Sequence, residues 1–205
     1  MNETMELKRA ARAATAADLD TAELSARLAA RAEDEGLLVV AYCEVDSPVG
    51  RLLAVATPKG LVQLGYPNQP RDAMLEALAE RISPRLLEAP ARLDPVRREL
   101  DEYFAGRRRE FDLDLDWRLT EGFRRRVLRE TARIPFGETR SYMEMAASAG
   151  SPRAHRAAGS ALGANPIPIV VPCHRVLRSG GALGGYGGGV EIKEQLLQLE
   201  GVLGS

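Results

Sequence analysis

The sequence predicts two joined units: an α/β unit built on an antiparallel meander, then a mainly α unit that carries a helix-turn-helix. Three observations lead there. Between Leu38 and Tyr66, three short apolar runs, LVVAYCEV, RLLAVAT and LVQLGY, are separated by the turns DSPVG and PKG, which is the pattern of strands joined by tight Pro/Gly turns. Beyond residue 118 this pattern gives way to short amphipathic helices punctuated by PFG and Gly150. The charge also changes sign, with 17 basic and 22 acidic side chains in residues 1–118 against 11 and 7 in residues 119–205.

The 205 residues, 45% of them hydrophobic, suffice for one large core or two small ones. No apolar run approaches the roughly 20 residues of a membrane-spanning helix, and MNETMELKRAARAATAADLD has no signal-peptide core. A soluble cytoplasmic protein without membrane contact is therefore expected. Its two cysteines, Cys43 and Cys173, are expected to stay reduced, and with His155 and His174 they show no metal-ligand spacing. Neither zinc nor any other metal is expected. The basic second half suits a surface that meets phosphate.

Residues 1–37 are expected to form a helical or partly disordered extension, with Leu19, Leu24 and Leu28 at near-helical spacing and Gly36 at its end. The α/β unit is placed at 38–117. After the meander, RDAMLEALAERI and PVRRELDEYFAG read as helices, and Phe111, Leu113, Leu115 and Trp117 alternate with aspartates as in a half-buried strand. The second unit, 118–205, opens with GFRRRVLRETARI, whose Phe123, Val127 and Ile134 face inward. Thr139 or Ser141 can cap YMEMAASA, and Ser151 is expected to cap PRAHRAAGSALGA with Pro152 in its first turn. This pair is the helix-turn-helix. Its second helix is rich in small residues, among them Ala154, Ala157, Gly159, Ser160 and Gly163. Such a helix can lie very close to another surface, inside the protein or outside it.

The chemical centre is NPIPIVVPCHRV, residues 165–176. Its prolines bias Asn165, Ile167 and Val171 toward extended backbone, so that IVV reads as a buried extended rod. Pro172 suits the first position of a new helix, which would put Cys173 at a helix N-terminus and lower its pKa, as a nucleophile requires. His174 need not touch the sulfur, and a water could bridge them. The imidazole then needs an orienting carboxylate, for which Glu191, Glu194 and Glu200 are candidates. The loop RSGGALGGYGGGV, with seven glycines around Tyr186, reads as a pocket wall that brings backbone close to a ligand. It lacks the context of a phosphate-binding loop.

Residues 134–201 resemble the O6-alkylguanine-DNA alkyltransferases, also called methylated-DNA–protein-cysteine methyltransferases. The resemblance is carried by IPFGETRSY, NPIPIVVP, PCHRV and GGYGGG in that order, and more loosely by residues 38–117 with the DSPVG turn. It implies a ribonuclease H-like first unit and a winged-helix-like second one. Cys173 is implied as alkyl acceptor, His174 as its activator through water, Glu200 as the end of the relay and Asn165 as a hinge. Tyr142 is implied to protonate the leaving guanine at N3, and Arg156 to fill the space of a flipped nucleotide. Ala154, Ala157, Gly159, Ser160 and Gly163 would lie in the minor groove. Val176, Tyr186, Gly187 and Lys193 would join Tyr142 around the base. No cofactor is implied. The implied partner is double-stranded DNA containing O6-alkylguanine, with O4-alkylated thymine as a further alkyl donor, bound by a monomer that can cluster along DNA. Each molecule would act once.

Two other readings start from the same residues. A cysteine hydrolase using Cys173, His174 and Glu200 predicts turnover on an ester or amide. A non-catalytic regulator or lesion-binding protein using the helix-turn-helix alone predicts DNA binding that survives Cys173→Ser.

Overall fold

A computed structural model describes residues 23–24, 27–32 and 34–204. The helical reading of residues 1–22, with Leu19, lies outside the described residues. Residues 27–32 are helical. There Ala29 and Ala32 enter the core, whereas Leu24 and Leu28 stay more than half exposed, so the small side chains of this segment do its packing.

The meander forms as its turns dictate. Strands β1 (Val40–Val45), β2 (Leu52–Thr57) and β3 (Gly60–Gly65) pair antiparallel in sequence order. A short fourth strand, β4 (Leu86–Glu88), adds parallel to β1 and gives the order β3-β2-β1-β4. Its three residues carry too little pattern to be read from sequence. Helices α1 (Arg71–Arg81) and α2 (Asp94–Phe104) follow their apolar spacing; Met74 and Leu78 are buried on the first, and Val96, Leu100 and Tyr103 on the second.

The strand expected at Phe111–Trp117 is not a strand. The alternation of part-buried and exposed side chains holds from Phe111 to Leu115 and ends at buried Asp116, and the segment makes one parallel bridge, Leu61 to Leu115. Leu61 N–H donates to the Asp114 carbonyl and Asp116 N–H to the Leu61 carbonyl, each at 2.8 Å. Asp116 then turns the chain away from β3: its carboxylate accepts from the Thr57 hydroxyl at 2.6 Å and from Arg118 N–H at 3.1 Å.

In the second unit, α3 (Gly122–Thr131), α4 (Tyr142–Ser148) and α5 (His155–Gly163) pack on one another. Ser141 closes a capping box, accepting from Glu144 N–H at 3.2 Å while its own N–H donates to the Glu144 carboxylate at 2.6 Å. The second cap differs from expectation. Ser151 and Pro152 lie in the turn, Ala154 N–H donates to the Ser151 carbonyl, and α5 starts at His155 without a side-chain cap. Strands β5 (Arg140–Ser141) and β6 (Val176–Leu177) form a two-stranded parallel pair, and α6 (Val190–Leu199) ends the unit with Glu200 as its C-cap.

The two units share one core. A single cluster of buried side chains runs from Leu38 and Leu100 of the first to Val127, Ile167 and Leu196 of the second. Leu64 N–H also donates to the Pro166 carbonyl across the boundary, at 2.8 Å. No helix among the described residues is long and apolar enough to cross a membrane.

Candidate active site

The segment 165–176 is a wound mount rather than a rod. Ile167, Ile169, Val170 and Val171 are buried as expected. However, Val170 and Val171 N–H groups donate back to the Pro168 and Ile167 carbonyls, and Ile169 sits at φ 71°. A β-branched residue in the left-handed region is strained, and burial in the shared core holds it there. Pro172 occupies the cap position rather than the first turn, and the helix it introduces is a single 3-10 turn, Cys173–Arg175. So short a turn has almost no macrodipole to offer a thiolate.

Asn165 holds the mount together. Its Oδ1 accepts from Ile167 N–H at 3.0 Å, and its Nδ2 donates to the Val171 carbonyl at 2.8 Å and to Cys173 Sγ at 3.1 Å. Cys173 is free and 7% exposed. Burial pushes its thiol pKa up, contrary to the expected lowering. The Asn165 hydrogen bond, the Lys193 charge and the Tyr186 hydroxyl act in the other direction. Cys43, also free, is buried in β1 among apolar neighbours, which raise its pKa to about 11.

Of the three candidate carboxylates, the structure brings Glu200 to the histidine. Glu191 and Glu194 are exposed on α6. His174 Nε2 and Glu200 Oε1 are 2.8 Å apart and both side chains are fully buried. Burial alone would raise the Glu200 pKa, but hydrogen bonds from His174 and Arg175 hold it at about 2. An ionised carboxylate only accepts, so Nε2 carries the proton and Nδ1 is the basic nitrogen. Burial lowers the His174 pKa, which favours this neutral form. Among the described residues, Nδ1 is the one buried side-chain polar atom without a hydrogen-bond partner.

Two groups around Glu200 escaped the sequence reading. Arg175, noted there only as part of PCHRV, binds both carboxylate oxygens, with Nε at 2.8 Å and Nη2 at 2.9 Å. Tyr103, from α2 of the first unit, donates its hydroxyl to Oε1 at 2.7 Å. A tyrosine at a regular apolar position of a helix carries no signal that its hydroxyl reaches a residue 97 positions away. Tyr66, at the end of β3, was likewise overlooked. Its hydroxyl lies 2.6 Å from that of Tyr186.

The remaining expected residues surround the sulfur or the approach to it. Lys193 is buried and donates Nζ–H to the carbonyl of buried Val176 at 2.6 Å; burial lowers its pKa to about 8. Tyr142 is half-buried, and burial together with the charge of Cys173 raises its pKa. A Cβ on Gly184 would stand 2.3 Å from the Tyr142 hydroxyl, so glycine lets the loop close on it. Tyr142, Arg156, Gly159, Gly163 and Arg178 line an opening of about 660 Å³. On α5, Ala158, Ala161 and Leu162 pack inward while Arg156, Ala157, Ser160 and Gly163 are exposed. Ala154 caps the helix and Gly187 is exposed in the loop. Small residues thus serve both uses left open by composition, close packing on one face and an unobstructed outer face on the other.

A buried thiol next to a buried histidine–carboxylate pair, behind the exposed face of a helix-turn-helix, has the composition of a site for cysteine chemistry on a nucleic acid. Residues 39–117 match the family described as 6-O-methylguanine DNA methyltransferase, ribonuclease-like domain, and residues 122–202 its DNA binding domain. The chain is 44% identical over 162 residues to a methylated-DNA–protein-cysteine methyltransferase of Mycolicibacterium paratuberculosis, covering 79% of this chain and 93% of that one. An inducible enzyme of the same description from Bacillus subtilis is 40% identical over 146 residues, 71% of this chain and 81% of the relative. Among solved structures, Mycobacterium tuberculosis O6-methylguanine methyltransferase matches with TM-score 0.68 and 40% identity, over 79% of this chain and 93% of that one. The DNA complex of the M. tuberculosis protein matches with TM-score 0.67 and 40% identity, over 78% and 92%. The chain belongs to the O6-methylguanine-DNA methyltransferase family.

Proposed function

We propose that Cys173 is the residue this repair methyltransferase alkylates, and that His174 and Glu200 drive the step. The function is direct reversal of damage: an alkyl group passes from O6 of guanine in DNA to a cysteine of the protein. The proposed course begins with the Cys173 S–H proton moving through a bridging water to His174 Nδ1, whose lack of a protein partner is the observation that carries this reading. Glu200 stabilises the resulting imidazolium. The thiolate attacks the alkyl carbon, the carbon–O6 bond breaks with its electron pair going to guanine, and the Tyr142 hydroxyl donates a proton at N3. The product is a thioether. No described residue is placed to cleave it, so one molecule repairs one lesion.

O6 lies inside the duplex, so the base must be extruded at a cost of a few kcal/mol. Arg156, exposed at the mouth of the opening, fills the vacated space. Ala154, Ala157, Gly159, Ser160 and Gly163 let α5 approach the minor groove, where readout of sequence is weak. Asn165 is a positioning residue for the sulfur, while Val176, Tyr186, Gly187 and Lys193 bound the base. The unit boundaries proposed are 1–37, 38–117 and 118–205. The protein acts as a monomer in the cytoplasm, on O6-alkylguanine and on O4-alkylthymine.

Incubation with a duplex containing O6-methylguanine, read by intact-protein mass spectrometry, tests the assignment. The expected result is a gain of one CH2 per protein, mapped to Cys173 and absent from Cys173→Ala. Retention of the lesion by a folded wild-type protein that still binds the duplex would instead favour a lesion-binding role.

A further inference from the structure

The wall facing Cys173 comes from the other unit. A cavity of about 40 Å³ at the sulfur is bounded by Leu64, Tyr66 and Gln69 of the first unit and by Asn165, Pro168 and Tyr186 of the second. That volume holds a methyl group or one water, and not a ring. The wide opening lined by Tyr142 and Arg156 lies toward the exposed face of α5, and Gly163 borders both spaces. A guanine reaching Cys173 from there directs whatever its alkyl carbon bears into the small cavity.

Tyr66 is held rigidly in that wall. It is 3% exposed, its hydroxyl is 2.6 Å from that of Tyr186, and the two rings are 5.7 Å apart. A Cβ on Gly188 would meet the Tyr66 ring at 2.9 Å, so the loop is seated directly on it. Two residues on, Asn68 Nδ2 donates to the Gly187 carbonyl at 3.1 Å. The end of β3 and the turn after it therefore clasp the loop at Tyr186 and the two glycines that follow it.

We infer that Tyr66 determines alkyl-group specificity: as wall and clasp it keeps the alkyl side of the pocket at methyl size and excludes bulky groups. The inference rests on Cys173 being the acceptor. It is tested by measuring second-order rate constants for transfer from duplexes carrying O6-methylguanine or O6-benzylguanine, in wild type, Tyr66→Leu, Tyr66→Phe and Asn68→Ala. Wild type should strongly prefer methyl. Shortening the wall in Tyr66→Leu should raise the benzyl-to-methyl ratio by about tenfold or more, the size of discrimination that pocket volume supplies. Tyr66→Phe and Asn68→Ala, which release the clasp, should raise it less and speed hydrogen exchange in residues 184–189.

A ratio within about twofold of wild type in folded Tyr66→Leu overturns the inference, as does a wild type that takes benzyl as fast as methyl. If Tyr66→Leu does not fold, Tyr66→Phe and the exposed Asn68→Ala decide on the same ratio. Failure of wild type to methylate Cys173 at all is a different result, because it removes the acceptor assignment on which the inference stands.

Discussion

Glu200 carries more of the site than any other single residue. It receives hydrogen bonds from His174, Arg175 and Tyr103, all from buried side chains. Its pKa is depressed to about 2, so its contribution to stability is fully present above the unfolded value, 4.5, and is lost as pH falls toward 2. Chemical denaturation at pH 7, 4 and 3 should therefore show stability dropping between the last two. Glu200→Gln should cost about 3 kcal/mol at pH 7, because it leaves the Arg175 charge buried without a partner, and should flatten that acid limb. A variant as acid-sensitive as wild type would place the titrating group elsewhere.

The same residue scale explains why adjacency of Cys173 and His174 is not contact. The histidine turns its Nε2 to Glu200, and Asn165 rather than His174 hydrogen-bonds the sulfur. The mount that carries both residues holds Ile169 in a strained conformation. That strain has no signature in IVV, which reads as ordinary strand.

At the scale of elements, α5 is the piece whose two faces do different things. Its inner face is packed by Ala158, Ala161 and Leu162, and on its outer face Arg156 makes no side-chain hydrogen bond or ion pair with any described residue. Arg156→Ala should consequently leave thermal stability within about 0.5 kcal/mol of wild type. Its effect should fall on duplex repair, with the methyl-transfer rate reduced by about 10- to 100-fold as the cost of extrusion is no longer offset. Reaction with free O6-methylguanine base, which needs no extrusion, should fall much less. Equal losses on both substrates would assign Arg156 to the pocket instead.

For the molecule as a whole, the joint between the units is itself part of the site. Tyr66 and Tyr103 reach across it to Tyr186 and Glu200, and one buried cluster spans it. Unfolding should accordingly be a single transition, with Trp117 fluorescence at the joint and far-ultraviolet circular dichroism giving coincident urea curves. Two separated transitions would mean that each unit is stable without the shared core. The sign of charge follows the same division. Arg51, Arg71, Arg97, Arg98 and Arg108 of the first unit are paired with acids, whereas Arg153, Arg156 and Arg178 of the second make no ion pair with any described residue, which leaves these three side chains to meet phosphate.

By itself the sequence determined what depends on local chemistry and short-range periodicity. That includes the meander, since DSPVG and PKG permit little but tight turns, and the helices whose apolar residues recur at three and four. It also includes the family, because PCHRV, NPIPIVVP and GGYGGG stand in order. Tertiary structure decided whatever depends on distant partners. Periodicity gave Phe111–Trp117 its alternation, yet a strand also needs a neighbour with free hydrogen-bonding groups, and only Leu61 offered them. The Cys173 thiol was expected to be acidified by a helix, but deep burial outweighed what a single 3-10 turn could supply. Spacing alone left Glu200 one of three candidate carboxylates and only the family resemblance singled it out; folding is what buries it against His174. Tyr66 and Tyr103 were ordinary core positions until the two units met, because a hydroxyl's partner is set by which surfaces close on each other and not by its neighbours in the chain.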